Sequence, residues 1–542
     1  MISERVTTAV FAISILAITI AMVAPIWSVE RFILQDASGH VNTSFVMAEL
    51  LKGNTFFSEF YKFNSPFVPN SSGHWLMVLL LQVFSPFIVT KIMTSLTLVA
   101  VPLSVVWFSR QVSGSGGETT AFLIGCAVAF NWFWLLGAFN FMLGFAGFVF
   151  TLGLFWRWRE AMNWNRSLIL MLLVSLIFYT HLVGFLLLAG SIVIIALFAR
   201  NESRKRNFFR VLPTILAALI LFLLYKIQMS TGGEAFYPDW SSLSDPYSLR
   251  SWLSQLVAVD PFVLISRKTL PFTTYDSPLL SIFSPILWMT VGVVLYAAAT
   301  LYDARGRKLL ATERIPFVLL AAGTMVVALF GPDDFNMSNG GLLRQRLFMA
   351  AFVFLVPLLT MAAGKLRLLA HGCFLFVLIF QTAAMWEFVF YSNAQTDGFI
   401  EAGHQIPGEL HIASTVILEE RPRFHAVPAP QMINYLGTGR NLIVVDNYAF
   451  GYNLFAIVTR DAEMRKFIRG YSAVNVLYPN NSHEDFTNNL NHLDFYLADN
   501  SGKIDVMLLY GRNDAVESIL GKTFDKQPFY QMGKVRLFRR LK

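Results

Sequence analysis

Apolar residues fall in long blocks along the first 391 positions and then give way to short alternating runs. A hydrocarbon layer of ~30 Å is crossed by about 20 helical residues, fewer where neighbouring helices bury the ends. Eleven blocks meet that description: 8–28, 86–108, 119–137, 140–156, 167–180, 182–199, 209–227, 279–301, 315–331, 347–363 and 369–391. A further apolar stretch, WLMVLLLQVF at 75–84, either lies in the interface or begins the second span. The pattern changes in the tail. There NLIVVDNY (441–448) and KIDVMLLYG (503–511) have strand length and β-rich content, and DAVESILG (514–521) has helical spacing with a glycine stop. The predicted fold is a polytopic α-helical membrane protein with about eleven transmembrane helices over residues 1–391, followed by a small α/β domain over 392–542.

Composition agrees with that division. The chain is 55% hydrophobic and only 14% charged, too few polar groups to coat a soluble particle of 542 residues. Its net charge of +8 does not mark a nucleic-acid binder, because the tail carries equal numbers of basic and acidic residues and the excess lies among the spans. The two cysteines, Cys126 and Cys373, fall inside apolar blocks and read as small apolar residues, not as a disulfide or metal framework. Charge also orients the chain. With the amino terminus in the cytoplasm, the short inner connections hold sixteen Lys and Arg, among them Arg157, Arg204, Lys205, Arg305 and Lys308, against eight in the much longer outer segments before residue 392. The first block reads as a retained anchor, since its basic flank is weak and Pro25 follows the best cleavage site. The outer face then receives loops 29–74, 227–278 and 331–346 and the whole tail, so chemistry is expected there.

The first outer loop begins RFILQDASGHVNTSFVMAELLKGN, residues 31–54. Val41, Phe45, Ala48 and Leu51 fall on one helical face and Gly53 supplies a stop, which predicts an amphipathic helix lying on the outer membrane surface. Asp36 stands at its start. One reading makes it an N-cap that satisfies orphan amides and the helix dipole; the other makes it a reactive carboxylate, with His40 one turn along the same face. The loop continues through Lys62, Asn64, His74 and the aromatic residues Phe60, Tyr61, Phe63 and Phe67, which suit either sugar faces or lipid headgroups.

The third outer loop, GPDDFNMSNGGLLRQR, sets Asp333 and Asp334 at the end of one block and Arg344 and Arg346 at the start of the next. Arginine at a helix start opposes the helix dipole, so an anion is required nearby: the two aspartates or a phosphorylated ligand. His181, in FYTHLVGF, lies between two blocks and is placed either to line a cleft or to bond Tyr179 or Asn140. Lys91 reads as a snorkelling residue. Asp239, Asp245, Asp260, Arg250, Arg267 and Lys268 in the second outer loop show no pattern and read as solvated. The tail histidines, His404, His411, His425, His483 and His492, are too scattered to suggest a metal cluster.

The acidic DASGH after the first block, the helix ending LLKGN, the aromatic stretch, HWLMVLLLQVFSPFIVTKIMTSLTLVAVPLSVVWFSRQV, and the later PDDF…GGLLRQRL together resemble the GT-C superfamily of polytopic glycosyltransferases. The first loop lacks an adjacent Asp-Asp, Asp-Glu or Asp-x-Asp pair, which departs from the protein-mannosylating and metal-dependent branches. The resemblance implies an enzyme of a bacterial or archaeal plasma membrane that takes a sugar from a polyprenyl-phosphate carrier. The acceptor would be a glycolipid, a polysaccharide or a protein. It implies Asp36 as general base, with Arg344 or Arg346, alone or with Lys62, on the departing phosphate. His40 could orient Asp36, contact the sugar or hold a divalent metal ion; no other cofactor is implied. His74, His181, Asp333 and Asp334 complete the expected substrate-binding set. Two other classes fit a polytopic chain. A transporter or flippase would show inverted repeats and midplane charges, and a membrane acyltransferase would use His181 with Asn140.

Overall fold

The computed structural model describes residues 2–198, 203–231, 238, 259–262, 264–265, 284–302, 314–335, 341–360, 364–419, 424–480 and 483–541. Each of the eleven apolar blocks forms a helix: α1 (Ile2–Trp27), α5 (Pro86–Ser113), α6 (Glu118–Ala129), α8 (Phe139–Trp158), α9 (Trp164–Thr180), α10 (Leu182–Leu197), α11 (Ser203–Thr231), α12 (Pro285–Tyr302), α13 (Ile315–Phe330), α14 (Leu343–Leu359) and α15 (Gly364–Ala394). Five helices in the described residues are long and apolar enough to cross a membrane, and five more apolar helices are shorter. The block at 119–137 is not one helix: Asn131 breaks it, and its side chain caps a separate turn, α7 (Trp132–Leu136), by accepting from Trp134 N. WLMVLLLQVF belongs mostly to a separate helix, α4 (Ser72–Leu80), and α5 starts anew at Pro86 behind Ser85.

The helix after Asp36, α2 (Ala37–Leu51), is not the surface helix that its apolar face predicted. From Ala37 to Ala48 nearly every residue is buried, polar His40, Asn42, Thr43 and Ser44 included. The reason lies in what covers it. Val41 belongs to the large apolar cluster of the helical bundle, while Val46, Met47 and Ala48 belong to a second cluster inside the tail. Only the far end, at Leu51, reaches the surface before Gly53 (φ +77°) ends the helix.

The tail is built on a six-stranded sheet. Parallel strands β3 (Leu442–Val444), β5 (Val476–Leu477) and β6 (Val506–Tyr510) all pair with the central β2 (Leu410–Ile417), and β8 (Val535–Arg539) and β7 (Tyr530–Met532) extend the far side antiparallel. Side-chain alternation divides its two faces between two cores. Val506, Leu508 and Tyr510 join the cluster shared with the bundle, whereas Met507 and Leu509 join the second cluster beneath α18 (Ala462–Val474) and α19 (His483–Asn500). The segment between α2 and α4 completes this domain: β1 (Tyr61–Phe63) pairs antiparallel with β4 (Ile457–Thr459), and Phe57 and Tyr61 enter the second core.

One contact sets the height of α2 over the bundle. Gly137, at φ +90°, ends α7 against the start of α2, and a Cβ there would lie 2.9 Å from Ala37 N and 3.0 Å from Ala37 Cβ. Gly137→Ala therefore combines left-handed strain, which costs about 1–3 kcal/mol, with a clash. Thermal unfolding of the purified variant is expected to show a loss of at least that size, whereas Gly114→Ala, at φ +78° with nothing within 4 Å of its Cβ, is expected to show the strain alone.

Candidate functional site

A cavity of about 500 Å³ opens where the helical bundle meets the tail. The bundle gives it His181, Leu182, Val183, Leu186, Tyr225, Leu343 and Arg346; the first loop gives Gln35, Asp36 and Asn70; the tail gives Gln431, Tyr448, Tyr452, Leu454, Phe455 and Ser472. The helix ends that contribute, those of α9, α11 and α13 and the starts of α10 and α14, all lie at one end of the bundle.

Asp36 occupies the N-cap position of α2 yet does not cap it. Its backbone is helical (φ −90°, ψ −14°) and its carboxylate makes no capping bond, nor a hydrogen bond or ion pair with any described residue. The main chain, not the side chain, is held: Asp36 N donates to Leu136 O at 2.7 Å and Asp36 O accepts from His40 N at 3.1 Å. Its neighbours are tied to the tail, with Val427 N donating to Gln35 Oε1 at 2.9 Å and Ser38 Oγ donating to Gln431 O at 2.6 Å. Burial without compensation pushes the Asp36 carboxyl up to about 7. A carboxylate so placed can accept a proton near neutral pH.

The two arginines at the start of α14 part company. Arg344 is buried and faces away: Nε donates to Ala328 O at 2.8 Å and Nη2 to Leu329 O at 2.9 Å. Those carbonyls end α13, so the negative end of an antiparallel neighbour meets this cation together with Asp333, whose charge also acts on Arg344. Arg346 lines the cavity. Its guanidinium lies 5.1 Å from the Phe133 ring and 5.0 Å from Phe141, and its Nε has no hydrogen-bond partner among the described residues. Asp333 is near enough to bias both arginines, and its carbonyl takes Leu343 N at 2.8 Å; Asp334 follows it, half-buried, outside the cavity wall.

His181 caps α10, its Nδ1 accepting from Val183 N at 3.1 Å, which places the proton of the neutral ring on Nε2. Glycines bring it to the cavity: a Cβ on Gly144 of α8 would lie 2.7 Å from His181 Cβ, and one on Gly184 would lie 2.8 Å from Gly144 O. His181 and Asn140 do not form an acyl-transfer pair. Asn140 is committed elsewhere, accepting from Gly73 N at 2.8 Å and donating to Asn70 O at 3.1 Å.

His40 and His74 form a buried pair behind the cavity wall, His40 Nδ1 to His74 Nε2 at 3.1 Å. His74 Nδ1 donates to Asn70 O at 2.9 Å, so His74 Nε2 accepts and His40 donates. Burial lowers both, with His74 pushed down to about 4 and His40 lowered further by its partner, so the pair is neutral at pH 7. Among the described residues no group of three His, Cys, Asp or Glu is placed to hold a metal ion. Lys62 stands apart, exposed on β1 opposite Val458. Asp260 is buried, not solvated, its Oδ1 accepting from Phe262 N at 2.9 Å; Asp239, Asp245, Arg250, Arg267 and Lys268 lie outside the described residues. Lys91 reaches back to Val29 O and lies 5.5 Å from the Trp27 ring.

The tail's share of the cavity is what the sequence reading missed. The tripeptide Asp446–Asn447–Tyr448 follows β3, at the carboxyl end of a parallel strand, where α/β sheets place their ligands. Asp446 is buried and takes Ser414 N at 3.0 Å, Ser414 Oγ at 2.5 Å and Asn475 Nδ2 at 3.2 Å. Asn447 Nδ2 donates to Gly39 O at 3.2 Å and Asn42 Oδ1 at 3.1 Å, clamping α2 to the sheet. Tyr448 then points to the cavity. NLIVVDNY was legible as a strand, and the polar triplet closing it was the available signal.

Removing each arginine separates their roles. Arg344→Ala strands two helix-end carbonyls and is expected to lower stability by about 1.5–3 kcal/mol in thermal unfolding of detergent-solubilised protein. Arg346→Ala is expected to lower it by less than Arg344→Ala, because its Nε has no partner among the described residues.

The sequence matches no protein-family profile and no curated protein. The structure is similar to that of ArnT from Cupriavidus metallidurans bound to undecaprenyl phosphate, over 98% of both chains at 10% identity and a TM-score of 0.44. It is also similar to the arabinofuranosyltransferase AftD from Mycobacteria, over 99% of this chain at 13% identity and a TM-score of 0.44. This chain spans 41% of the length of AftD.

Proposed function

We propose that the protein is an inverting glycosyltransferase that moves a sugar from a polyprenyl-phosphate donor to an acceptor hydroxyl at the outer face of the membrane. The observation that carries this reading is the meeting of an unpaired carboxylate, Asp36, raised to about 7, and an arginine with a free donor, Arg346, on the wall of one cavity. A sugar phosphate brings its own good leaving group, so one base suffices. Asp36 takes the proton of the acceptor hydroxyl as its oxygen attacks the anomeric carbon, and the bond to the phosphate oxygen breaks on the opposite face. Arg346 stabilises the charge that the phosphate gains. A single in-line displacement inverts the anomeric centre.

An apolar groove supports a lipid-linked donor. It runs between α9, α10 and α11, about 340 Å³ in volume, lined by Val174, Phe185, Ala189, Ile215 and Phe222, and it shares Leu186 with the cavity. A prenyl chain in that groove would bring its phosphate to the cavity mouth near Arg346. The bias of Lys and Arg towards the other ends of the helices supports placing the cavity, and the tail over it, outside the cytoplasm with the amino terminus inside. The acceptor is a glycolipid, polysaccharide or protein.

Purified protein in nanodiscs, given radiolabelled polyprenyl-phosphate sugars and membrane glycolipid acceptors, tests the reading. Asp36→Asn is expected to lower turnover by about 10²–10⁴-fold, and Arg346→Ala by about 10²–10³-fold. The wild-type rate is expected to rise with pH through about 7, because only the ionised Asp36 accepts a proton. Unchanged turnover in Asp36→Asn would remove the base and with it this mechanism.

A further inference from the structure

Part of the cavity wall is carried by the tail, and one group there is chemically conspicuous. The Tyr448 ring is seated edge-on against Phe455 at 5.7 Å and His40 at 6.5 Å. Its residue is fixed from both sides: Asn447 Oδ1 accepts from Ala449 N at 3.1 Å, which caps the short turn Tyr448–Gly451, and Asn447 Nδ2 grips the first turn of α2. Yet the Tyr448 hydroxyl, open to the cavity, makes no hydrogen bond with any described residue. A rigid phenol with a free donor, held in register with Asp36 by a shared clamp, is arranged for a ligand.

We propose that Tyr448 is a catalytic residue of the transfer centre, its hydroxyl donating a hydrogen bond to the phosphate oxygen that leaves the sugar, alongside Arg346. This rests on the glycosyl-transfer reading above and adds a contact from the tail to it. The charges of Asp36 and Arg346 both reach the phenol and act in opposite senses. Burial first, and then Asp36, keep it protonated across the working range, so it remains a donor. Asp36 accepts no bond from it, which leaves the donor for the other anion of the reaction. In the step itself the acceptor O–H proton passes to Asp36, the acceptor oxygen bonds to the anomeric carbon, and the electron pair of the breaking C–O bond goes to the phosphate. Tyr448 keeps its proton throughout and shortens its bond as charge grows on that oxygen.

Full-length protein in nanodiscs can be titrated with farnesyl phosphate and, separately, with farnesol, the same chain without the anion. Wild type is expected to prefer the phosphate. Tyr448→Phe retains the ring and is expected to bind farnesyl phosphate about 10- to 100-fold more weakly, with farnesol binding unchanged as evidence that the groove is intact. If Tyr448→Phe binds farnesyl phosphate as wild type does while Arg346→Ala loses it, the role of Tyr448 is overturned and the transfer reading stands. If wild type does not distinguish phosphate from alcohol, both are overturned.

Discussion

Among the described residues, the carboxylate of Asp36 is left without a partner because its main chain is bonded on both sides and its side chain is not. Leu136 and His40 take the two backbone groups, Val427 and Gln431 hold the residues on either side, and the α2 helix that follows is locked between two apolar clusters. A carboxylate in such a place loses hydration without gaining a counter-charge, and its proton affinity rises. The close approach of Gly137 to Ala37 and the grip of Asn447 on Gly39 and Asn42 fix the start of α2 between the bundle and the tail.

This arrangement assigns the tail a purpose in the proposed chemistry. Its sheet is not an appended module with a polar outer skin. One face shares the core of the helical bundle, and the strand ends present Asp446, Asn447 and Tyr448 towards α2. The segment that follows α2 reciprocates by adding β1 to the tail. Bundle, loop and tail therefore form one wall around the cavity, and the residues that face each other across it come from widely separated parts of the sequence.

That separation explains what could be read from the sequence. The helices follow from block length and the strands from runs such as KIDVMLLYG, because both signals are local. Asp36 and Arg346 stood out for a local reason too: each sits at a helix start where its charge needed an explanation. The explanation itself was non-local. Arg344 and Arg346 are alike in sequence, and only the packing of α13 against α14 gives one a row of carbonyls and leaves the other facing the cavity. The burial of α2 was hidden for the same reason, since a helix with one apolar face looks superficial until the tail covers its polar face with Asn447, Gln431 and Asn434. Lys62 read as a ligand by its aromatic company, but Tyr61 enters the tail's core with Phe60 against it, Phe63 stacks on Trp75, and the lysine is left outside.

Infrared titration of the carboxyl stretch, taken as the difference between wild type and Asp36→Asn in the same membrane preparation, reports the ionisation of this one group directly. A protonated-carboxyl band that belongs to Asp36 and fades as pH rises through about 7 is expected. A midpoint near the ordinary aspartate value of about 4 would contradict it. It would show that a cation or water already satisfies the carboxylate that the fold is argued to hold unpaired.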